Sequence, residues 1–282
     1  MTPAPTPFAL DGRTIVVTGG YGQLGRAITL GLLQAGAAVA VLEPAPSDDK
    51  TAAFFGAHAA NPKLGVFAAD VTRRTTLEAA LFLISKQLGV PYGLINNAAL
   101  DSPPDSPASE NGPFEDYPEE SWDKVMSVNA KGVFLSCQVF GKAMADNGGG
   151  SIANVASIYG TVSPDQALYQ YRRDRGEVFF KPVAYCASKS ALYNFTRYLA
   201  VYWGPKGVRA NTLTFAGVYN GQDPEFLEQY SRKIPLRHSG REHLHSMATP
   251  GDYVGPAIFL MSNASAYMTG ADLRIDGGFL AI

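Results

Sequence analysis

Residues 13–25 decide the fold, and they read Arg-Thr-Ile-Val-Val-Thr-Gly-Gly-Tyr-Gly-Gln-Leu-Gly. A β-type run ends at Thr18, glycines follow at positions 19, 22 and 25, and apolar residues then recur at helical spacing. Glycines let the backbone turn sharply and approach a pyrophosphate, which the N-terminus of the next helix attracts. The order predicts a dinucleotide-binding α/β unit, although the spacing is G-x-x-G-x-x-G and not the standard G-x-G-x-x-G.

Strands and helices alternate along the rest of the chain. Strands are predicted at 13–18, 38–42, 64–69, 93–96, 151–155, 208–213 and 272–275. Helices are predicted at 24–35, 48–60, 72–88, 119–146, 184–203 and 250–261, the last with Thr249 as its N-cap. Such alternation implies right-handed crossovers. It predicts a Rossmann-type doubly wound parallel sheet of about seven strands with helices on both faces.

Three long stretches, at 101–117, 160–182 and 217–249, interrupt this alternation. Each follows a predicted strand, so all three are expected at the carboxyl edge of the sheet, where open α/β sheets bind ligands. We expect a flexible tail over 1–10 and a single domain over 11–282. The 160–182 insertion and a 217–249 lid, with an amphipathic helix at 223–233, would then cover the active site.

The composition excludes several classes of protein. The 282 residues carry 23 Lys and Arg against 25 Asp and Glu, and the net charge of −2 argues against nucleic-acid and polybasic membrane binding. No apolar run reaches the ~18 residues of a membrane span, and the N-terminus has no charged-then-apolar signal pattern. The two cysteines have no metal-like spacing and cannot form a disulfide framework. We therefore expect a cytoplasmic protein with a small-molecule substrate.

Glu43 points to the identity of the dinucleotide. It ends the second predicted strand, 18 residues after Gly25, where an acidic side chain accepts hydrogen bonds from the adenosine ribose. A carboxylate there would repel the extra phosphate of NADP, so NAD is favoured. Arg26, close to the turn, keeps NADP open as an alternative, and a glycine-rich turn without a ligand is the other reading.

Tyr185 and Lys189 stand at i and i+4 on a predicted helix, a spacing that puts both on one face. A neighbouring ammonium favours the phenolate, so we expect Lys189 to lower the pKa of Tyr185 and make it a proton acceptor. Taken alone, the pair is better explained as a core tyrosine beside a solvated lysine.

The pair is not alone, because several motifs occur in one order. They are Thr18-Gly19 to Gly25, Asp70-Val71, Asn96-Asn97-Ala98, Asn129, Ser157, Tyr185-x-x-x-Lys189 and Ile275-Asp276-Gly277-Gly278. This order resembles that of the short-chain dehydrogenase/reductase family over residues 11–280. The resemblance also extends to a bacterial subset named as flagellin-modification or nonulosonic-acid pathway oxidoreductases.

The resemblance implies a role for each matching residue. Tyr185 would be the catalytic acid/base, and Ser157 would hydrogen-bond the reacting oxygen. Lys189 would bind the nicotinamide ribose, and Asn129 would hold a water between Lys189 and bulk solvent. The implied cofactor-binding residues are Gly19, Tyr21, Gly22, Gln23, Leu24, Gly25, Glu43, Asp70, Val71, Asn97, Ala98, Ala99, Tyr185, Lys189 and Val218. No metal is implied, and for His238, His243 and His245 we favour a polar lid over a metal site.

The chain departs from the family pattern in three places. Gln23 replaces the middle glycine of the usual turn, and Phe215 stands where a proline is common. Ser157 and Tyr185 are 28 residues apart, about twice the family spacing, so an insertion lies between them. In it, Arg172, Arg173 and Arg175 would either bind a substrate anion or form a solvated charge run.

These features predict an NAD(H)-dependent oxidoreductase that interconverts a secondary alcohol and a ketone on a sugar or sugar-derived substrate. A 3-oxoacyl-type reductase is the alternative enzyme, and a non-catalytic NAD-binding regulatory protein is the alternative from another class. The resemblance implies a homotetramer, or a homodimer, with helices 119–146 and 184–203 between subunits.

Overall fold

The computed structural model describes residues 6–101, 110–237, 244 and 246–282. Within them, the strands are β1 (Thr14–Thr18), β2 (Ala38–Glu43), β3 (Leu64–Ala68), β4 (Pro91–Asn96), β5 (Gly150–Ser157), β6 (Val208–Phe215) and β7 (Asp272–Ile275). They form one sheet in the order β3-β2-β1-β4-β5-β6-β7, and all neighbouring pairs are parallel. The predicted Rossmann-type sheet is confirmed.

Helices connect these strands. They are α1 (Gln23–Gln34), α2 (Asp48–Phe55), α3 (Arg74–Gln87), α4 (residues 119–146), α5 (Gln170–Asp174), α6 (Val183–Trp203), α7 (Pro224–Arg232) and α8 (Val254–Met261). In α4, the π-helical segments Ser127–Gly132 and Cys137–Gly141 alternate with α-helical ones. Such π-turns are rare in regular helices and often mark functional sites.

Two helices differ from the prediction by more than two residues at one end. The helix predicted over 48–60 ends at Phe55, because Gly56 takes a left-handed φ of 55°, and a 3-10 turn continues to Ala60. The helix predicted over 250–261 begins as a 3-10 turn, Pro250–Tyr253, and becomes α-helical at Val254. Thr249 is its N-cap as predicted, in a capping box with Asp252.

The end of the predicted N-terminal tail is packed against the domain. Leu10 is fully buried, and its N–H donates to the carbonyl of Ala35 at 3.0 Å. The carbonyl of Pro7 accepts from the N–H of Ala264 at 2.9 Å. Residues 7–10 are therefore held between α1 and the turn after α8, which the prolines of the tail did not indicate.

The sheet carries an apolar layer on each face, because alternate residues of every strand point to opposite sides. On one side, Val16 and Leu94 of the sheet pack with Leu77 of α3, Phe140 of α4 and Leu199 of α6. On the other side lie Ile15, Val17, Val39, Ile95, Ile28, Leu32, Leu260 and Met261, from β1, β2, β4, α1 and α8.

A third buried cluster stands at the carboxyl edge of the sheet and joins the insertion to α7. Its members are Ile158, Tyr159, Leu168, Tyr169, Phe179, Phe226, Leu227, Tyr230, Ile234 and Met247. Two polar links tie the same segments together: the Tyr171 hydroxyl donates to Asp223 at 2.7 Å, and Lys233 pairs with Asp165 at 2.8 Å. The insertion and α7 are thus packed as one layer over the strand ends.

Candidate active site

A cavity of about 910 Å³ opens at the carboxyl edge of the sheet, between the strand ends and the third cluster. Its walls come from the turn after β1, the ends of β2 and β3, the loops after β4 and β6, the insertion and α6. The three predicted interruptions all contribute to it through their described residues. The ligand crevice therefore lies where the strand order predicts it.

The glycine turn after β1 is held by close backbone contacts. Gly19 has a left-handed φ of 68°, and a Cβ on it would lie 2.9 Å from the Cα of Ala98. A Cβ on Gly25 would lie 2.2 Å from the carbonyl oxygen of Gly19. The Thr18 hydroxyl accepts from the N–H groups of Asn97 and Ala98, both at 3.0 Å. Only glycine fits at positions 19 and 25, because any side chain would separate α1 from β1 and β4.

The N-terminus of α1 faces the cavity without a capping side chain. The N-cap residue is Gly22, so no side chain hydrogen-bonds to the first N–H groups of the helix. Gly22 lines the cavity together with Gln23 and Leu24. The first N–H groups of a helix lack intrahelical partners and attract an anion, so this end fits a pyrophosphate. The Gln23 amide donates to the carbonyl of Tyr219 at 2.9 Å, which links the turn to the loop after β6.

Glu43 lines the cavity at the end of β2. The N–H of Tyr21 donates to its carboxylate at 2.7 Å. Burial raises the pKa of Glu43, and this hydrogen bond only partly opposes the effect. The Tyr21 side chain does not line the cavity: it stacks on Phe54 with ring centroids 4.7 Å apart, and its hydroxyl bonds Thr51. Tyr21 therefore takes part through its backbone.

Asp70, Val71, Asn97, Ala98 and Ala99 line the middle of the cavity. One oxygen of Asp70 accepts from the N–H and hydroxyl of Thr72 at 2.9 and 2.7 Å, which fixes the turn after β3. The Asn97 amide donates to the carbonyls of Thr18 and Gly19. Asn96 points away from the cavity and donates to Asn154 at 2.8 Å.

Ser157, Tyr185 and Lys189 meet in the same cavity. Ser157 ends β5, and its side chain lies close enough to Tyr185, in the first turn of α6, to lower the pKa of that phenol. Lys189 is one turn further along α6, is 3% exposed and donates to the carbonyl of Val155 at 2.7 Å. Its Nζ lies 5.8 Å from the Tyr185 ring centroid. The strand end and the helix face place a hydroxyl, a phenol and an ammonium around one point.

Asn129 fixes the backbone beside these groups. It lies in the first π-helical segment of α4, is buried and does not line the cavity. Its side-chain oxygen accepts from the Leu100 N–H at 2.7 Å, and its nitrogen donates to the Leu100 carbonyl at 2.9 Å and to Ser188 at 3.0 Å. The side chain therefore ties the loop after β4 to α6.

A family model described as Enoyl-(Acyl carrier protein) reductase matches residues 22–280. D-threitol dehydrogenase from Mycolicibacterium smegmatis is 32% identical over 278 residues, covering 96% of this chain and 94% of that protein. This chain belongs to the short-chain dehydrogenase/reductase family. It is accordingly an oxidoreductase.

Solved structures of short-chain dehydrogenases agree with the fold. One from Leptospira borgpetersenii with bound NAD+ is 30% identical, has a TM-score of 0.81 and covers 99% of this chain and 97% of that chain. A gluconate 5-dehydrogenase from Burkholderia cenocepacia in complex with NADP and tartrate has a TM-score of 0.81 at 23% identity, with 98% of each chain covered. These structural neighbours bind NAD or NADP.

The ionisation of Tyr185 in this short-chain dehydrogenase differs from the sequence-based expectation. Burial raises the pKa of Tyr185, the Asp101 carboxylate raises it further, and the hydrogen bond with Ser157 only partly opposes them. Lys189 is itself shifted: burial lowers its pKa to about 8. The pKa of Tyr185 in the protein alone is thus raised, opposite to the expected direction, because burial dominates it, and the separate effect of the Lys189 ammonium stays a prediction.

The loop after β6 is anchored by aromatic side chains in place of a proline. Phe215 stacks on Tyr253 with ring centroids 4.0 Å apart, and the Tyr253 hydroxyl donates to the Ala216 carbonyl at 3.1 Å. The Tyr230 hydroxyl of α7 accepts from the Gly217 N–H at 2.7 Å. Val218, which follows, lines the cavity and forms a single parallel bridge with Ala248.

The three arginines of the insertion have three different surroundings. Arg172 lines the cavity, pairs with Glu177 at 2.7 Å and lies 4.2 Å from the Phe179 ring centroid. Arg173 donates to the carbonyls of Phe179 and Gln166, so it is a structural residue. Arg175 forms a surface ion pair with Glu225. Of the two sequence hypotheses, substrate binding remains open only for Arg172.

Sequence analysis missed two charged residues of the cavity, Asp101 and Lys181. They form an ion pair, and Lys181 Nζ lies 5.0 Å from the Tyr185 ring centroid. Their positions carried a signal: Asp101 closely follows β4, and Lys181 is four residues before Tyr185.

Two further observations concern the described residues alone. No group of three or more His, Cys, Asp or Glu is placed there to hold a metal ion, and His238, His243 and His245 lie outside these residues. None of the described helices is long and apolar enough to cross a membrane.

Proposed function

We propose that this chain is an NAD(H)-dependent dehydrogenase that interconverts a secondary alcohol and a ketone on a sugar-like polyhydroxy substrate. The observation that carries the proposal is that Ser157, Tyr185 and Lys189 share one cavity with the glycine turn and the open N-terminus of α1. Bound NAD+ would accept a hydride at the nicotinamide, and the reduced form would return it.

The residues of the chain would divide the remaining work. The Ser157 hydroxyl would hold the reacting oxygen, and the Tyr185 hydroxyl would take its proton during oxidation and return it during reduction. The Lys189 ammonium would bind a ribose hydroxyl and stabilise the tyrosinate. The positive charge of the oxidised nicotinamide would also favour the tyrosinate, which offsets the burial that raises the pKa of Tyr185 in the protein alone.

The residues that line the cavity fit the proposed cofactor and its nicotinamide end. Glycines 19 and 22 and the uncapped α1 terminus would hold the pyrophosphate, and Glu43 would accept from the adenosine ribose. Asp70, Val71, Asn97, Ala98 and Ala99 would line the adenine and ribose side. The cofactor site would be closed by Gln23, Leu24 and Val218. The shape of the glycine turn would be maintained by the Tyr21 backbone and by the close packing at Gly25.

Two residues favour NAD over NADP. Glu43 lines the cavity and is held by the Tyr21 N–H at 2.7 Å, so its carboxylate has a defined position. A 2′-phosphate would meet this carboxylate. Arg26 is exposed and does not line the cavity, although it follows the turn in sequence.

A polar substrate fits the wall opposite the cofactor residues. That side is lined by polar and charged residues, which are Asp101, Tyr171, Arg172, Lys181, Gln222 and Asp223. Carboxylates, an amide and cations arranged in this way can accept from and donate to several hydroxyl groups at once. A relative that is 32% identical is named D-threitol dehydrogenase, and threitol is such a polyol.

The test follows NADH absorbance with polyols, neutral sugars, sugar acids, sugar phosphates and nucleotide-linked sugars. Each is tested with NAD+ and with NADP+. We expect turnover of a polyol or sugar with NAD+, and none in Tyr185→Phe. The acidic and nucleotide-linked sugars test the narrower hypothesis of a flagellin-modification or nonulosonic-acid pathway substrate. Turnover of only 3-oxoacyl substrates with NADPH, or NADH binding without any turnover, would contradict the proposal and favour the reductase or regulatory alternative.

We also propose a cytoplasmic homotetramer. The single chain leaves several large apolar side chains exposed on two helices, namely Phe134 of α4 and Tyr198, Val201 and Tyr202 of α6. Both helices were expected between subunits, and contact with further copies would bury these side chains. Light scattering coupled to gel filtration would give the mass; a monomer at micromolar concentration would contradict the assignment.

A further inference from the structure

The insertion places a second lysine beside the reacting phenol. The Lys181 side chain is 9% exposed and forms an ion pair with Asp101. Its Nζ lies 5.0 Å from the Tyr185 ring centroid, whereas the Nζ of Lys189 lies 5.8 Å from it. Two ammonium groups from different elements therefore flank Tyr185.

The backbone around Lys181 is fixed by the rest of the insertion. The Lys181 N–H donates to the side-chain oxygen of Gln166 at 2.9 Å, and the Gln166 amide donates back to the Lys181 carbonyl at 3.2 Å. Arg173 donates to the carbonyls of Gln166 and Phe179 at 2.8 and 2.9 Å. The Phe180 N–H donates to the carbonyl of Asn111 at 2.8 Å. The segment that carries Lys181 is thus held from three sides.

A buried ammonium is costly unless an opposite charge lies beside it. Asp101 supplies that charge. The carboxylate and the ammonium shift the pKa values of neighbouring groups in opposite directions. The Asp101 carboxylate raises the pKa of Cys186, the neighbour of Tyr185, whereas the Lys181 ammonium lowers it. The same carboxylate raises the pKa of Tyr185.

We propose that Lys181 is a positioning residue for proton transfer, whose ammonium offsets the Asp101 carboxylate at the Tyr185 hydroxyl and so sets the pH range in which Tyr185 accepts a proton. The proposal rests on the proposed function, in which Tyr185 is the acid/base. Among the described residues, the titratable groups around Tyr185 include Asp101 after β4, Tyr159 after β5, Tyr169, Tyr171 and Lys181 in the insertion, Cys186 and Lys189 on α6, and Tyr230 on α7. Of the cations among them, Lys181 is the one that pairs with Asp101.

The first test measures the pH profile of kcat/KM for alcohol oxidation. Lys181→Met leaves the Asp101 carboxylate unopposed, so the acidic limb should move up by about one pH unit, which is a loss of about tenfold at neutral pH with recovery at alkaline pH. Asp101→Asn should move the limb down, and Lys181→Arg should restore the wild-type profile. An unshifted limb in Lys181→Met, or a rise in KM alone, would overturn the proposal.

The second test needs no substrate or cofactor, so it separates failure of this proposal from failure of the proposed function. The thiolate is the reactive form of a cysteine, and alkylation of Cys186 by iodoacetamide below its pKa of about 11 reports the local charge. Mass spectrometry should show about tenfold slower alkylation in Lys181→Met and faster alkylation in Asp101→Asn. Equal Cys186 rates in wild type and both variants would overturn the proposal, whatever the turnover assay shows.

Matched controls keep both tests interpretable. Lys142 and Asp146 form an exposed ion pair of the same two residue types on α4, with side chains 70% and 50% exposed. Lys142→Met and Asp146→Asn should leave the pH profile and the Cys186 rate unchanged. Where Lys181→Met fails to fold, as judged by thermal melting, Asp101→Asn and Lys181→Arg decide the question alone.

Discussion

Gly25→Ala tests whether the close contact between α1 and the glycine turn shapes the cofactor site. A Cβ at this position would lie 2.2 Å from the carbonyl oxygen of Gly19 and 2.8 Å from the Cα of Gly20, whereas ordinary contacts begin at 3.4 Å. The start of α1 must therefore move by about 1 Å relative to the turn, since backbone atoms cannot rotate away. Overpacking of this kind costs about 1–3 kcal/mol.

The same displacement moves the uncapped N-terminus of α1 away from the position expected for the pyrophosphate. We expect a melting temperature lower by roughly 2–4 °C for each kcal/mol lost. NADH affinity, measured by fluorescence titration, should fall at least tenfold, because several charge-assisted hydrogen bonds of the turn are misplaced together.

Gly255→Ala is the matched control, because it makes the same change in an exposed position of α8 where a Cβ meets nothing within 4 Å. Because Pro256 follows and opposes the gain expected from a helical alanine, we expect little change in stability and unchanged NADH binding. Wild-type melting and NADH binding in Gly25→Ala would refute the reasoning, since they would show that the Cβ is accommodated without displacing α1 from the turn.

Three further predictions follow from the same contacts. Tyr185→Phe should reduce kcat by about 10²–10⁴-fold and leave NADH affinity unchanged, and turnover at the wild-type rate would show that another group carries the proton. Arg173→Gln should lower the melting temperature and expose the insertion to limited proteolysis, because Arg173 donates to two backbone carbonyls. Arg175→Gln, which breaks only a surface ion pair, should change stability by less than about 1 kcal/mol. Equal losses of stability in the two variants would contradict a structural role for Arg173. Burial lowers the pKa of Lys189 from 10.5 to about 8, so the buried charge destabilises the folded protein fully below pH 8, and this destabilisation falls as the pH rises to 10.5. The stability of Lys189→Met relative to wild type should therefore decline between pH 8 and 10.5. A difference in melting temperature that stays constant with pH would contradict this prediction.

The sheet and the position of the site could be predicted because both depend on local patterns. Continuous apolar strands alternating with amphipathic helices allow one right-handed winding, which brings the ends of β1, β4 and β5 to one edge. Glu43, Ser157 and the Tyr185–Lys189 pair follow from their positions at strand ends or on one helix face. The element boundaries were less predictable where a single backbone angle decides, as at Gly56.

The sequence by itself determined the doubly wound sheet, the edge at which the cavity opens and the meeting of Ser157 and Lys189 with Tyr185. Only the tertiary structure decided how these residues are charged and which of them reach the cavity. Burial and Asp101 reverse the expected direction of the Tyr185 pKa shift, and Asn129 and the Tyr21 side chain turn out to hold neighbouring structure. The insertion brings Lys181 to Asp101, a residue 80 positions earlier in the chain. Desolvation and ion pairing depend on groups that are distant in sequence, and no local pattern records them.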